Sequence, residues 1–393
     1  MVLISIIYSA AAYPERVKFI TAAGKEASRH IILTANPPLV KLEGVELLVP
    51  SSSMSALKFW LFASKRTKEI VRSSDPGDPV IVHEYLSGIT NFMLRFLLGR
   101  RVIRITSLYS VELKFLVRRG WRADCFSRKF FSVGQHAMWV RKSLPIAVMN
   151  VLACIGSDTI VGNSAAVTDD VKSLFPSKPT EVINTSVDVD KFHPSTLEKD
   201  KSGAVKLLFF SRINPPKGIA LLLEGLRQLR EEGLNFELDI IGDAWAFEQK
   251  WLDKLLRNYQ ASNFYNVLGK LSHDELLPYL QASDVLVFPS YYEGSPRAVK
   301  EAMAVGLACL VSDLPGATML DVDSEALLFF KRGDLDDLKQ KLRNLPGMKI
   351  SGELQEISGK VREKALLFSR EVVAEKQSNL YRSLLSRKNE NYH

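Results

Sequence analysis

The sequence predicts an α/β protein built from two doubly wound domains, each a mostly parallel sheet with helices on both faces. Three observations carry this. Short apolar runs ending in turn residues alternate with helically periodic segments through the C-terminal half. A less regular version of the same alternation fills the N-terminal half. A polar stretch, Ser195 to Gly203, separates them as a linker. At 393 residues the chain is long enough for two full cores, which places the first domain at residues 1–194 and the second at 204–369.

Val2-Leu-Ile-Ser-Ile-Ile-Tyr8 reads as the first strand, and Pro79-Val-Ile-Val82 with His83 as a later one. Val102–Ile105 and Thr159–Val161 are two more. In the second half Lys206-Leu-Leu-Phe-Phe210 is a buried strand, broken by Ser211-Arg-Ile-Asn-Pro-Pro-Lys-Gly218. Ile219, Leu222, Leu223 and Leu226 then recur at helical spacing, so Arg212 and Lys217 lie on a strand-to-helix loop. Two cations there can meet a diphosphate. Phe236–Ile241 is a strand ending in Gly242-Asp243, and Phe264–Leu268 one ending in Gly269-Lys270. Trp251–Tyr259 and Glu275–Leu280 read as helices, and so does the final segment Arg370–Arg387. Ligands in such sheets bind beyond the carboxyl ends of the strands, where these turns converge.

The densest signal is Glu293-Gly-Ser-Pro-Arg-Ala-Val-Lys-Glu301, which follows the apolar run Asp284-Val-Leu-Val-Phe-Pro-Ser290. One carboxylate sits on the loop after a strand and the other inside a helix whose first position is expected at Pro296. Between them, at Gly294, Ser295, Pro296 and Arg297, lies a helix N-terminus whose free N–H groups and dipole attract phosphate. An anion flanked by two hydroxyl-binding acids has the shape of a nucleotide-sugar. This segment, with Ala302-Met-Ala-Val-Gly306 and Val311-Ser-Asp-Leu-Pro-Gly316, resembles the E-x7-E signature of retaining glycosyltransferases. It is most similar to the family 4 group with the two-domain GT-B fold.

The resemblance implies two Rossmann-like domains facing across a cleft, an acceptor domain first and a nucleotide-sugar donor domain second. It also implies that the helix within 370–393 crosses back onto the first domain. By resemblance, Glu293 binds hydroxyls of the donor sugar, Glu301 binds the ribose, and Arg212 with Lys217 holds the leaving diphosphate. Ser211 stands where the family has glycine. Gly242-Asp-Ala matches the family turn after the second strand, and Gly269-Lys270 the turn near base and ribose. Glu181 to Pro194 resembles the interdomain segment. The first domain departs from the pattern twice. Ser9-Ala10-Ala-Ala-Tyr13 replaces a loop of paired glycines, and Thr106-Ser107 stands where a histidine is common, with His83 and His136 as possible substitutes. Ser9, Ala10, His83 and Ser107 are therefore the first-domain candidates.

Composition sets the surroundings. The three cysteines, Cys125, Cys154 and Cys309, form no disulfide or metal framework and suit a reducing cytoplasm. The six histidines show no paired spacing. Asp188-Val-Asp190 and Asp321-Val-Asp323 mimic the metal-binding Asp-x-Asp of the single-domain GT-A enzymes, but the expectation is no metal and no cofactor beyond the nucleotide-sugar donor. The longest apolar stretch, Leu144–Gly156, is too short to span a bilayer. The N-terminal run resembles a signal peptide but lacks a basic n-region.

Charge is uneven. Residues 1–200 hold 26 Lys+Arg against 18 Asp+Glu, whereas residues 201–393 are balanced at 26 each. The excess is densest between Lys114 and Lys142, where Arg118, Arg119, Arg122, Arg128 and Lys129 interleave with Phe115, Trp121, Phe126, Phe130 and Phe131. Such a mixture suits an anionic membrane surface. Nucleic acid attracts the same composition, but no nucleic-acid-binding motif accompanies it, and a solvated basic face is the plain alternative. The expectation is a peripheral enzyme at the cytoplasmic face of a membrane, acting on a glycan or lipid-linked acceptor. A GT-B sugar-nucleotide epimerase would keep the same sheets, and a non-catalytic sugar-binding protein would be expected to lose the acids and cations that are present here. A NAD-dependent enzyme would need a Gly-x-Gly-x-x-Gly that the sequence lacks.

Overall fold

The computed structural model describes residues 1–10, 14–38, 42–98, 102–109, 133–196, 203–246, 248–259, 264–321, 323 and 325–390. They form two compact units that meet in sequence at 186/187, and residues 370–390 belong with the first. The fold is GT-B: each unit is a parallel sheet flanked by helices.

The first unit has seven strands, β1 (Val2–Ile6), β2 (Arg29–Leu33), β3 (Glu46–Leu48), β4 (Val80–Tyr85), β5 (Val102–Leu108), β6 (Thr159–Gly162) and β7 (Thr180–Val182). Their order is β3-β2-β1-β4-β5-β6-β7, and every pairing is parallel. The central strands are buried along their whole length, as expected for a sheet covered on both faces, so they read as continuous apolar runs and not as alternation. The edge strands β3 and β7 are three residues long and part-exposed, and for that reason they left no mark in the sequence pattern.

The second unit has six strands, β8 (Val205–Phe210), β9 (Phe236–Ile241), β10 (Tyr265–Gly269), β11 (Val285–Phe288), β12 (Ala308–Ser312) and β13 (Leu328–Phe330), in the order β10-β9-β8-β11-β12-β13. Strand order reverses between β8 and β11, which pair directly. That switch point opens a crevice at the carboxyl ends of the two strands. The helix Ile219–Glu231 buries Ile219, Leu222, Leu223 and Leu226 against the sheet, the periodic set that marks it in the sequence.

The final helix, Arg370–Glu390, docks in the first unit. Ser378 Oγ donates to Ala23 O at 2.9 Å, and Tyr381 OH meets His83 Nδ1 at 2.8 Å. Asp188 accepts from the Lys191 N–H, Asp321 accepts from the Ala326 and Leu327 N–H groups, and Asp323 pairs with Lys364. The two Asp-x-Asp segments therefore hold their own turns and an ion pair.

Candidate functional site

Five loops gather at the carboxyl ends of the strands in the second unit. The loop 211–218 leaves β8 and is stitched to the loop after β11. Tyr291 N donates to Pro216 O at 2.8 Å, and Ser290 Oγ lies 3.2 Å from the same carbonyl. Gly218, at φ 73°, permits the approach, since a Cβ there would lie 1.9 Å from Pro289 O. The turn after β9 joins the cluster through Ile213 N to Asp243 O at 2.8 Å, and the turn after β10 through Gly242 N to Gly269 O at 2.8 Å. The loop after β12 closes the group, with Gly316 so near that a Cβ would sit 2.4 Å from Glu293 O.

This stitching brings Lys217 and Glu293 together across 76 residues of sequence. The Lys217 ammonium donates to Glu293 Oε1, and Ser290 Oγ donates to the same oxygen at 3.1 Å. Both side chains are largely sheltered, 22% and 13% exposed, but reachable. Arg212 does not join the pair. It is exposed, and its guanidinium lies 4.6 Å from the centre of the Trp245 ring, a cation–π shelf supplied by the turn after β9. Asp243 and Lys270 are exposed on neighbouring turns.

Helix Arg297–Ala304 carries the second acid. Pro296 occupies the N-cap position, with φ −71° and ψ 105°, so the helix opens at Arg297, one residue later than the sequence pattern suggested. Its extended ψ keeps Pro296 outside the helical turn. Glu301 is buried and flanked by the Arg297 guanidinium at 3.4 Å and the His273 ring at 3.9 Å. Burial raises its pKa, and Arg297, His273 and Lys300 oppose that rise. Lys300 is fully buried, donates to Ser295 Oγ at 3.0 Å, and is pulled down to about 7 by burial.

In the first unit, His83 has no exposed surface. Its Nδ1 meets the hydroxyls of Tyr381 and Tyr85 at 2.8 and 3.2 Å, and its Nε2 meets Ser107 Oγ at 2.7 Å. Burial lowers its pKa to about 3, which keeps the ring neutral. His83 and Ser107 thus tie the sheet to the final helix. Ala10 is buried, its N–H donating to Thr34 Oγ1 at 3.1 Å, and Ser9 pairs with Asn36 in an isolated bridge. Arg118, Arg119, Arg122, Arg128 and Lys129, and the side chain of His136, lie outside the described residues.

Residues 191–356, which contain all five loops, match the model of the family described as glycosyl transferases group 1. This chain carries a group 1 glycosyltransferase domain. Among curated relatives of the domain, glycogen synthase of Mycobacterium tuberculosis is 29% identical over 187 residues, 47% of this chain and 44% of that protein. The UDP-Gal:alpha-D-GlcNAc-diphosphoundecaprenol alpha-1,3-galactosyltransferase of Escherichia coli is 28% identical over 194 residues, 46% and 49% of the two chains. The matches thus span less than half the length of these relatives. Anabaena HepE, solved with UDP and glucose, has the same fold over 98% of this chain and 100% of its own, at a TM-score of 0.68 and 16% identity.

Four side chains around the glycosyltransferase loops had no sequence signal. Ser290 is the residue after a strand-ending proline, Trp245 follows a turn, and His273 and Lys300 look like ordinary helix residues. Only the converging loops give them partners.

Proposed function

We propose that the chain is a retaining glycosyltransferase that moves a sugar from a nucleotide-diphosphate sugar to a glycan acceptor, lipid-linked or otherwise membrane-bound. The observation that carries this reading is the Glu293 carboxylate held between Lys217 and Ser290 at the switch point, with Arg212 on the same loop as Lys217 and Glu301 in the adjoining helix. In this reading Lys217 turns from Glu293 to the diphosphate when donor arrives, and the freed carboxylate accepts hydrogen bonds from the sugar. Arg212, stacked over Trp245, supplies the second positive charge. The departing diphosphate develops negative charge in a partly desolvated site, where fixed cations stabilise it without reorganising. Glu301 accepts from the ribose. Attack comes from the face that the leaving group vacates, which retains configuration at the anomeric carbon.

A relative named above supports the class of donor and acceptor: the Escherichia coli protein is named for a UDP-sugar donor and a diphosphoundecaprenol-linked sugar acceptor. Two loop cations doing the work of a metal make the transfer metal-independent. On a donor identified by screening UDP- and GDP-sugars, chelator treatment leaves the rate unchanged and NMR of the product shows the donor's anomeric configuration. Activity lost on chelation and restored by manganese or magnesium, or an inverted product, contradicts the reading.

The acceptor half carries the whole net positive charge, +8. Among the described residues no helix is long and apolar enough to cross a membrane. We assign the basic, aromatic-rich segment 114–142 to contact with an anionic bilayer. Each basic residue near such a surface contributes about 1 kcal/mol, and salt screens it. Vesicles containing anionic lipid therefore sediment the protein at low salt and release it at high salt, and charge reversal at Arg118, Arg119 and Arg122 weakens sedimentation. Protein that stays in the supernatant at low salt removes the membrane assignment and leaves the donor site standing.

A further inference from the structure

Lys300 is a charge where the packing asks for an apolar side chain. Its helix neighbours Val299, Ala302 and Met303 are buried hydrophobics, and Lys300 itself has no exposed surface. An ammonium taken out of water is unfavourable unless partners compensate. One of its partners belongs to the candidate site. Nζ donates to Ser295 Oγ at 3.0 Å, in the loop that joins the two glutamates, and lies 5.6 Å from the centre of the Phe368 ring. Glu301, the next residue, is buried too, and the positive charge of Lys300 is one of the influences that favour its ionised form.

We propose that Lys300 is a positioning residue for the nucleotide: through Ser295 it fixes the loop between Glu293 and Glu301, and through its charge it keeps Glu301 ionised as an acceptor for ribose hydroxyls. This rests on the reading of the site as one for nucleotide-sugars. Among the described residues, the charged and titratable groups around the pair come from three elements. Arg297 shares the helix and disfavours the charge on Lys300 while favouring that on Glu301. His273 faces Glu301 from the helix His273–Ala282. Arg362, from the helix Glu353–Leu366 packed alongside, caps Ala304 O and Phe192 O at the far end. Burial raises the Glu301 pKa and pulls that of Lys300 down to about 7, while the charge on each favours the ionised form of the other.

The sign of the effect follows. Ribose binding requires ionised Glu301, so affinity falls as pH falls through its titration. Removing the adjacent positive charge raises that titration, and the acid limb of binding moves to higher pH. The test is isothermal titration of UDP and of GDP from pH 5 to 8 with the wild type, Lys300→Met and Ser295→Ala. Lys300→Met is expected to melt at or above the wild-type temperature, to bind severalfold more weakly on the acid limb, and to show that limb moved to higher pH. Ser295→Ala keeps the charge and loses the loop contact, so it is expected to weaken binding severalfold at every pH with the limb unmoved. A Lys300→Met protein that binds with wild-type affinity and limb overturns the inference, and so does one that fails to fold, since the lysine would then serve the core. Wild type that binds neither nucleotide overturns the donor-site reading along with it.

Discussion

Glu293→Ala and Lys217→Ala each lower sugar transfer by about 10²–10³-fold or more, a loss of the size seen when one preorganised electrostatic partner is removed from an active site. The fold survives both, because the residues sit on loops held by backbone contacts that neither truncation touches: Tyr291 N to Pro216 O and Ile213 N to Asp243 O. The pair acts as a unit in the resting chain, Lys217 and Ser290 both donating to Glu293 Oε1. The double variant is therefore scarcely slower than either single one, since groups that work together are not additive. Steady-state rates and melting curves check this. Either single variant with near-native turnover removes the catalytic assignment.

The largest expected loss of stability comes from the opposite end of the same sheet. Asp284 stands just before β11 and accepts from Lys206 N at 2.8 Å and from Lys349 Nζ at 2.9 Å. Lys349 and Asp284 side chains are 6% and 7% exposed. Asp284→Ala leaves the ammonium buried with the Ala204 carbonyl, 3.1 Å away, as its remaining hydrogen-bond partner among those described. Stranding one half of a buried pair costs about 3–5 kcal/mol. Denaturant unfolding reads the loss directly. Adding Lys349→Met restores most of it, because replacing both charges by apolar groups removes the desolvation term. A loss below about 1 kcal/mol for the single variant would show that water reaches the pair.

The parts of this molecule that were legible in the sequence are those written in local order. The strand Lys206–Phe210, the periodic leucines after Gly218 and the two glutamates eight positions apart all announce themselves within a dozen residues, and the structure places them at one switch point. The N-terminal half was legible only in outline. Arg29–Leu33 forms a central strand beside β1, yet its apolar core of three residues, Ile31 to Leu33, is too brief to separate from a helix fragment. His83 shows the other limit. As a histidine following a strand it invites a role at a ligand, but its partner Tyr381 lies 298 residues away, and that hydroxyl makes it a buried link between sheet and final helix. Trp245, His273 and Ser290 became visible for the same reason: tertiary contact, not spacing, gives each its place beside Arg212, Glu301 and Glu293.

The claim that these loops form a nucleotide-sugar site is tested most directly by saturation-transfer NMR of UDP- and GDP-sugars with the wild type and with Lys217→Ala. The expected result is transfer to the ribose and sugar protons of at least one donor with the wild type, and its loss with the variant. Wild-type protein that gives no transfer to any donor, or a variant that gives the same transfer as the wild type, contradicts the account.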